Sequence, residues 1–154
     1  MTSPAAEVSK SLRFIHYWLP VLGMLIFQFL FSTDLFSSEH TSRIILPILK
    51  FLLPQLGIDQ LVQLHHVIRK AAHVAEYCVL GVLIYRAVHL DVRNPISVCT
   101  LTIAGIAAAA VLDEFHQSFV PARTSSIGDV AFDCIGGVCA ILLIAVWRIP
   151  RASE

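Results

Sequence analysis

Apolar stretches separated by compact polar clusters set the pattern of this chain. Four stretches, residues 14–31, 71–88, 96–115 and 129–147, are almost wholly apolar. A helix needs about 20 such residues to cross the hydrocarbon core of a bilayer. The pattern therefore predicts four transmembrane helices. Tyr17, Trp18, Tyr85 and Trp147 fall near the predicted ends, where interfacial aromatics sit. Residues 44–67 are also apolar, but Pro47, Lys50, Pro54, Gly57 and Asp59 interrupt them. Within them, residues 46–54 read equally well as a re-entrant or interfacial segment and as a plain amphipathic connector on the headgroups. The expected fold class is thus all-α integral membrane: four transmembrane helices, with an interfacial or re-entrant segment between the first and second. A membrane domain over residues 14–148 would lie between cytoplasmic tails at 1–13 and 149–154.

Composition agrees with this pattern. The chain of 154 residues is 56% hydrophobic and only 14% charged, against roughly 25% charged in an average soluble domain. Formal net charge is zero, so no basic surface invites nucleic acid. Cys78, Cys99, Cys134 and Cys139 all lie in apolar stretches and form no CxxC pair. They read as buried thiols, not as a disulfide framework. Lys10 and Arg13 precede the first stretch, as they would a signal peptide, but no small-x-small cleavage site follows before Asp34. That stretch reads as a retained span.

Charge asymmetry gives an orientation. Lys10, Arg13, Arg86, Arg93, Arg148 and Arg151 would share one side, and Arg43, Lys50, Arg69, Lys70 and Arg123 the other. Three of the latter belong to polar clusters. The positive-inside rule then places both termini in the cytoplasm of a bacterial inner (plasma) membrane protein. The second span begins, the third ends and the fourth begins in the outer leaflet. In either orientation these three ends share one leaflet.

The polar clusters sit at those three ends. Ionisable groups there are costly, and their default reading is functional. His66, Lys70, His73 and Tyr77 fall on one helical stripe, flanked by Arg69 and Glu76. Asp113, Glu114 and Gln117 close the third span, and Pro121 ends regular helix before Arg123. Asp129 opens the fourth span, where unpaired N–H groups stabilise a carboxylate, and Asp133 lies one turn deeper. Gly136 and Gly137 predict close helix packing against the small residues Ala104, Gly105, Ala107, Ala108 and Ala109.

Five carboxylates (Glu76, Asp113, Glu114, Asp129, Asp133) face Arg69, Lys70, Arg123 and the histidines His73 and His116. A simple anion trap would carry surplus cations. This set is either internally paired or leaves carboxylates and a histidine for acid–base work. Carboxylate oxygen and imidazole would also suit a hard divalent cation, but no HExxH-type pair is present and no residue is assigned as a metal ligand. Lys70 and Arg123 suit a phosphate on a lipid-linked molecule. The plain alternative is a lattice of paired charges that sets helix register without chemistry. His16, His40, His65 and His89 are assigned to interfaces or loops, and His116 to an orienting or solvent-exposed place.

The run Lys70-x-x-His73-x-x-Glu76-Tyr77-x-x-Leu80-Gly81, then Asp113-Glu114-x-x-Gln117-x-x-x-Pro121-x-Arg123, then Asp129-x-x-x-Asp133-x-x-Gly136 resembles the VanZ-like family. These are small bacterial membrane proteins named for a teicoplanin-resistance determinant. The resemblance spans residues 69–147 and departs at Asp133, where many members are expected to carry Asn. It implies a multi-helix inner-membrane protein of the cell envelope and, in the founding member, glycopeptide resistance. It implies no established reaction.

The leading expectation is a protein that binds or acts on an amphipathic anionic molecule in the outer leaflet, with membrane lipids or lipid-linked envelope precursors as partners. Glu114 would be the central acid or base, with His73, Glu76 and Asp113 as its catalytic companions. Lys70, Arg123, Gln117, Asp129, Asp133 and Tyr77 would bind the substrate. If an enzyme, it would be a hydrolase or transferase at a phosphate or acyl linkage, since neither a Ser-His-Asp arrangement nor a P-loop is present. The alternatives are a non-catalytic membrane-organising or binding protein and a small proton-coupled carrier. Four spans leave a carrier little room for alternating access unless it forms an oligomer.

Overall fold

The structure, a computed structural model, describes residues 4–33, 37–120 and 126–148, and within them side chains from Ser11 to Trp147. Five α-helices make up the regular structure of the described residues: α1 (Pro4–Phe31), α2 (Ser38–Leu52), α3 (Ile58–Val88), α4 (Pro95–Gln117) and α5 (Ile127–Arg148). Local sequence explains their limits. Asn94 caps α4, its Oδ1 accepting from the N–H groups of Ile96 (2.9 Å) and Ser97 (3.2 Å), and Pro95 fills the first turn where no donor is needed. The hydroxyl of Ser37 accepts from the N–H of His40 at the start of α2. Gln60 folds back onto the Gly57 N–H at 3.0 Å to open α3.

Three helical segments are long and apolar enough to cross a membrane: Ser11–Phe31, Pro95–Gln117 and Ile127–Trp147. They match the first, third and fourth expected spans. The expected second span is the C-terminal half of α3 and is not among them, so the fold establishes three candidate spans and not four. Polar residues (Asp59, His65, His66, Arg69, Lys70, His73, Glu76) recur along the first two-thirds of α3.

The region expected to be one irregular segment is two helices and a turn. α2 runs through Pro47, which forfeits only one backbone hydrogen bond. It stops at Leu53, ahead of Pro54, where the Lys50 ammonium donates to the carbonyls of Pro54 (3.1 Å) and Leu56 (2.9 Å). The remainder is the first part of α3.

Helix α3 is the hub, packing against α1, α2, α4 and α5. Its Tyr77, Leu80, Ile84 and Ala87 form the buried core with Val21, Ile106 and Ala110. The outward faces of α1, α4 and α5 expose Leu19, Ile26, Leu112, Phe115, Leu142 and Val146, a surface suited to lipid. Glycine sets the α3–α5 spacing. A Cβ on Gly136 would lie 2.5 Å from the Val74 carbonyl oxygen, and one on Gly81 would lie 2.7 Å from the Ala140 Cβ. The expected fit of small faces between α4 and α5 is only half met. Gly137 does face Ile106 of α4, but Gly105 faces Ile84 of α3.

Candidate functional site

The end of α4 and the start of α5 lie beside the middle of α3, so the three polar clusters converge. Lys70 reaches Asp129 at the first turn of α5, with Nζ 3.4 Å from Oδ1 and 4.3 Å from the centroid of the Phe132 ring. One turn further along both helices, His73 Nδ1 lies 3.9 Å from Asp133 Oδ1. Glu114, buried at the end of α4, accepts the Ser126 N–H at 2.8 Å and so ties α4 to the start of α5. Gln117 donates to Asp113 Oδ2 at 2.7 Å and to Ser32 Oγ at 2.8 Å, while the Ser32 hydroxyl donates to Asp113 Oδ1. These bonds bring the end of α1 into the cluster.

A cavity of about 320 Å³ opens among these groups. Lys70, His73, Glu114, Gln117, Asp129 and Asp133 all line it. Glu76, Tyr77 and Asp113 line a neighbouring cavity of about 160 Å³, and Arg69 and His73 stand on the wall common to both. Every expected site residue within the described segments therefore borders one of two adjoining cavities. Arg123 lies outside the described residues. Tyr77 is 1% exposed and belongs to the core as much as to the site.

Several participants carried no usable signal in the sequence. Ser32 and Ser38 are serines in short polar runs at helix ends, and Thr41 is one polar residue on an amphipathic helix. Only the docking of α1 and α2 onto α3 reveals them. Thr41 Oγ1 accepts from Arg69 Nη1 at 2.9 Å, donates to the Ser37 carbonyl at 2.8 Å and lies 3.3 Å from His65 Nε2. His65 is therefore not the interfacial residue expected of it. It is 1% exposed between α2 and α3. Burial, then the charges of Arg69 and His66, push its pKa below the ordinary 6.5. His116 packs on Phe29, ring centroids 4.3 Å apart, and its buried Nε2 makes no hydrogen bond among the described residues. It faces α1, away from the cavity-lining residues.

Chemically, the site joins a half-exposed ammonium, an imidazole and buried carboxylates within one polar pocket. Glu114 has a cavity-facing carboxyl already held by one backbone donor, the arrangement a positioned acid or base requires. A larger cavity, about 820 Å³, lies at the opposite end of the helices and is lined by Arg13, Arg86, His89 and Arg93 with no carboxylate. It offers no carboxylate to pair with these cations, so size alone does not mark the chemical site.

The match to known families agrees with the geometry. A family model described as VanZ/LLP1 matches residues 14–148, nearly the whole chain. The chain belongs to the VanZ/LLP1 family. No curated protein and no solved structure matches significantly. The VanZ/LLP1 domain spans α2 through α5 and nearly all of the apolar part of α1. With three apolar helices of spanning length, membership marks this chain as a membrane protein. Of the described residues that carried the sequence resemblance, Lys70, His73, Glu76, Tyr77, Asp113, Glu114, Gln117, Asp129 and Asp133 line the two polar cavities, and Gly81 and Gly136 set the α3–α5 contact.

Proposed function

We propose that this VanZ/LLP1 protein is a cell-envelope protein of the bacterial inner membrane that captures an amphipathic anionic molecule at the outer leaflet. The observation that carries the reading is the convergence of Lys70, His73, Glu114 and Asp129 from three helices on one cavity of about 320 Å³. In this reading the C-terminal half of α3 is a fourth span and both termini are cytoplasmic. Lys70 and Arg123 hold the anionic headgroup, and the tails lie against the apolar outer faces of the helices. Gln117, Asp129 and Asp133 shape the pocket. Glu114 is the acid or base, with His73, Glu76 and Asp113 beside it, for transfer or hydrolysis at a phosphate or acyl linkage. Phospholipids, lipid-linked wall precursors and lipid-tailed glycopeptides such as teicoplanin share the required chemistry.

The test uses cells expressing the wild-type chain or Glu114→Gln at matched membrane levels. Teicoplanin and vancomycin susceptibility are measured beside lipid and wall-precursor profiles. Glu114→Gln keeps the shape of the side chain and removes its acid–base capacity. The expected result is a change in one of these readouts with the wild type that the variant abolishes. A binding protein without chemistry would tolerate Glu114→Gln and fail with Lys70→Ala. Expression-matched variants at Glu114, Lys70 and Arg123 that all behave as wild type would sink the composite site.

A further inference from the structure

We infer that His73, Asp113 and Asp133 form a binding site for a single divalent metal ion, which would present open coordination positions to the headgroup pocket. This inference rests on the proposed headgroup site and assigns the ion that would complete it. One ligand atom from each residue can be chosen so that all lie within 4.8 Å of one another. Metal–ligand bonds of about 2.0–2.2 Å place ligand atoms up to roughly 4.4 Å apart, so a small rotation of the side chains closes the set.

A second observation points to a cation. Asp133 is 2% exposed and lines the larger polar cavity, yet among the described residues its carboxylate has no partner except His73 Nδ1 at 3.9 Å, too far for a hydrogen bond. A buried carboxylate without hydrogen bonds is costly unless a charge compensates it. Lys70 does not serve, because it pairs with Asp129. Asp113 has the complementary trait: both its oxygens are held, by Ser32 and by Gln117. Metal-binding carboxylates are commonly oriented by such outer hydrogen bonds, and each carboxylate oxygen keeps a lone pair after accepting one.

The donor set selects the class of ion. One imidazole nitrogen with two carboxylate oxygens suits a first-row divalent ion such as Mn²⁺ or Zn²⁺ better than Ca²⁺, which takes six to eight oxygens. Three protein ligands leave positions for water or for a phosphate oxygen, the arrangement of sites that act on substrates and not of closed structural ones. Lys70 and the ion would then flank an anionic headgroup from two helices.

The experiment titrates the purified, EDTA-stripped full chain in detergent with Mn²⁺, followed by electron paramagnetic resonance, and with Zn²⁺ by calorimetry. One saturable ion per chain is expected. Asp133→Asn and His73→Gln should each weaken binding by on the order of tenfold or more, whereas Lys70→Ala should retain it. Size-exclusion profile and helical circular dichroism confirm that each variant is folded. Should Asp133→Asn fail that check, His73→Gln and Asp113→Asn carry the comparison. Absence of saturable binding, or binding unchanged in folded Asp133→Asn, overturns the metal site. A parallel arm measures retention of anionic-phospholipid vesicles, phosphatidylglycerol in phosphatidylcholine, by the stripped chain. Retention without metal binding overturns this inference and leaves the headgroup reading standing. Metal binding without retention does the reverse.

Discussion

The polar residues that fix the site are held by specific hydrogen bonds between helices, so individual side chains should have measurable effects. Ser32 is 2% exposed and connects α1 to both Asp113 and Gln117. Ser32→Ala would leave a part-buried carboxylate and a buried amide each short of one partner. Such a loss costs about 1–3 kcal/mol, which thermal unfolding in detergent would register as a lower midpoint. His65 predicts a pH effect of definite sign. Its pKa in the folded chain is depressed below 6.5, so between the two values the unfolded chain binds more protons. The stability that His65 confers is present above about pH 6.5 and is lost as pH falls toward the folded-state value. Acidification from pH 8 to pH 5 should lower the unfolding midpoint more in the wild type than in His65→Gln; equal slopes would refute the assignment. Neither residue was legible in the sequence. A serine at a helix end and a histidine between apolar neighbours are common, and only tertiary docking gives them partners. Lys70, His73, Glu114 and Asp129 were legible, because charge at the ends of apolar stretches has few purely structural explanations.

At the scale of elements, the α3–α5 contact decides whether the clusters meet. Lys70–Asp129 and His73–Asp133 are two rungs of that contact, and Gly136 one turn below them lets the backbones approach. Gly136→Ala would place a methyl group 2.5 Å from the Val74 carbonyl oxygen, which belongs to the backbone and cannot swing aside. Forced overpacking of this kind costs about 1–3 kcal/mol, and both rungs should lengthen. Gly23→Ala on α1 is the internal control, since nothing lies within 4 Å of its added Cβ. A thermal-shift series should show a clear loss for the first and little change for the second. Equal effects would mean that helix propensity, not packing, governs both. The sequence foretold close packing at Gly136 and Gly137 and assigned it to the third span, yet only Gly137 meets that helix, at Ile106, while Gly136 meets Val74 and Tyr77 of α3. Small residues mark a close approach without saying which helix comes near. The same limit explains α2. Pro47 suggested a broken segment, yet a capped start at Ser37 and the amphipathic docking of Thr41 outweigh one missing backbone bond.

For the whole molecule, the two ends of the helices differ in charge, and that difference predicts its orientation. At one end Glu114, Asp129 and Asp133 meet Lys70 and His73. At the other, Arg13, Arg86 and Arg93 line a common cavity without a carboxylate, and the Arg86 guanidinium stacks 4.4 Å from the centroid of the Tyr17 ring. A cation-rich end is the one the positive-inside rule keeps in the cytoplasm. It would face the anionic inner leaflet, where each Arg near the surface gains about 1 kcal/mol. The mixed-charge end would then face outward, where an envelope substrate or a glycopeptide is within reach. Four native thiols, all half-buried in α3, α4 and α5, must first be replaced by serine or alanine. Single cysteines at Phe119, just past the end of α4, and at Val92, between α3 and α4, then report the two faces. In intact spheroplasts a membrane-impermeant maleimide should label the Phe119→Cys chain and spare the Val92→Cys chain until the cells are lysed. The reverse pattern would turn the site toward the cytoplasm without separating its residues, since their convergence depends on helix packing and not on which leaflet they share. Labelling of both positions in intact cells would instead remove α4 from the set of spanning helices, because α4 is the helix that separates Val92 from Phe119 along the chain.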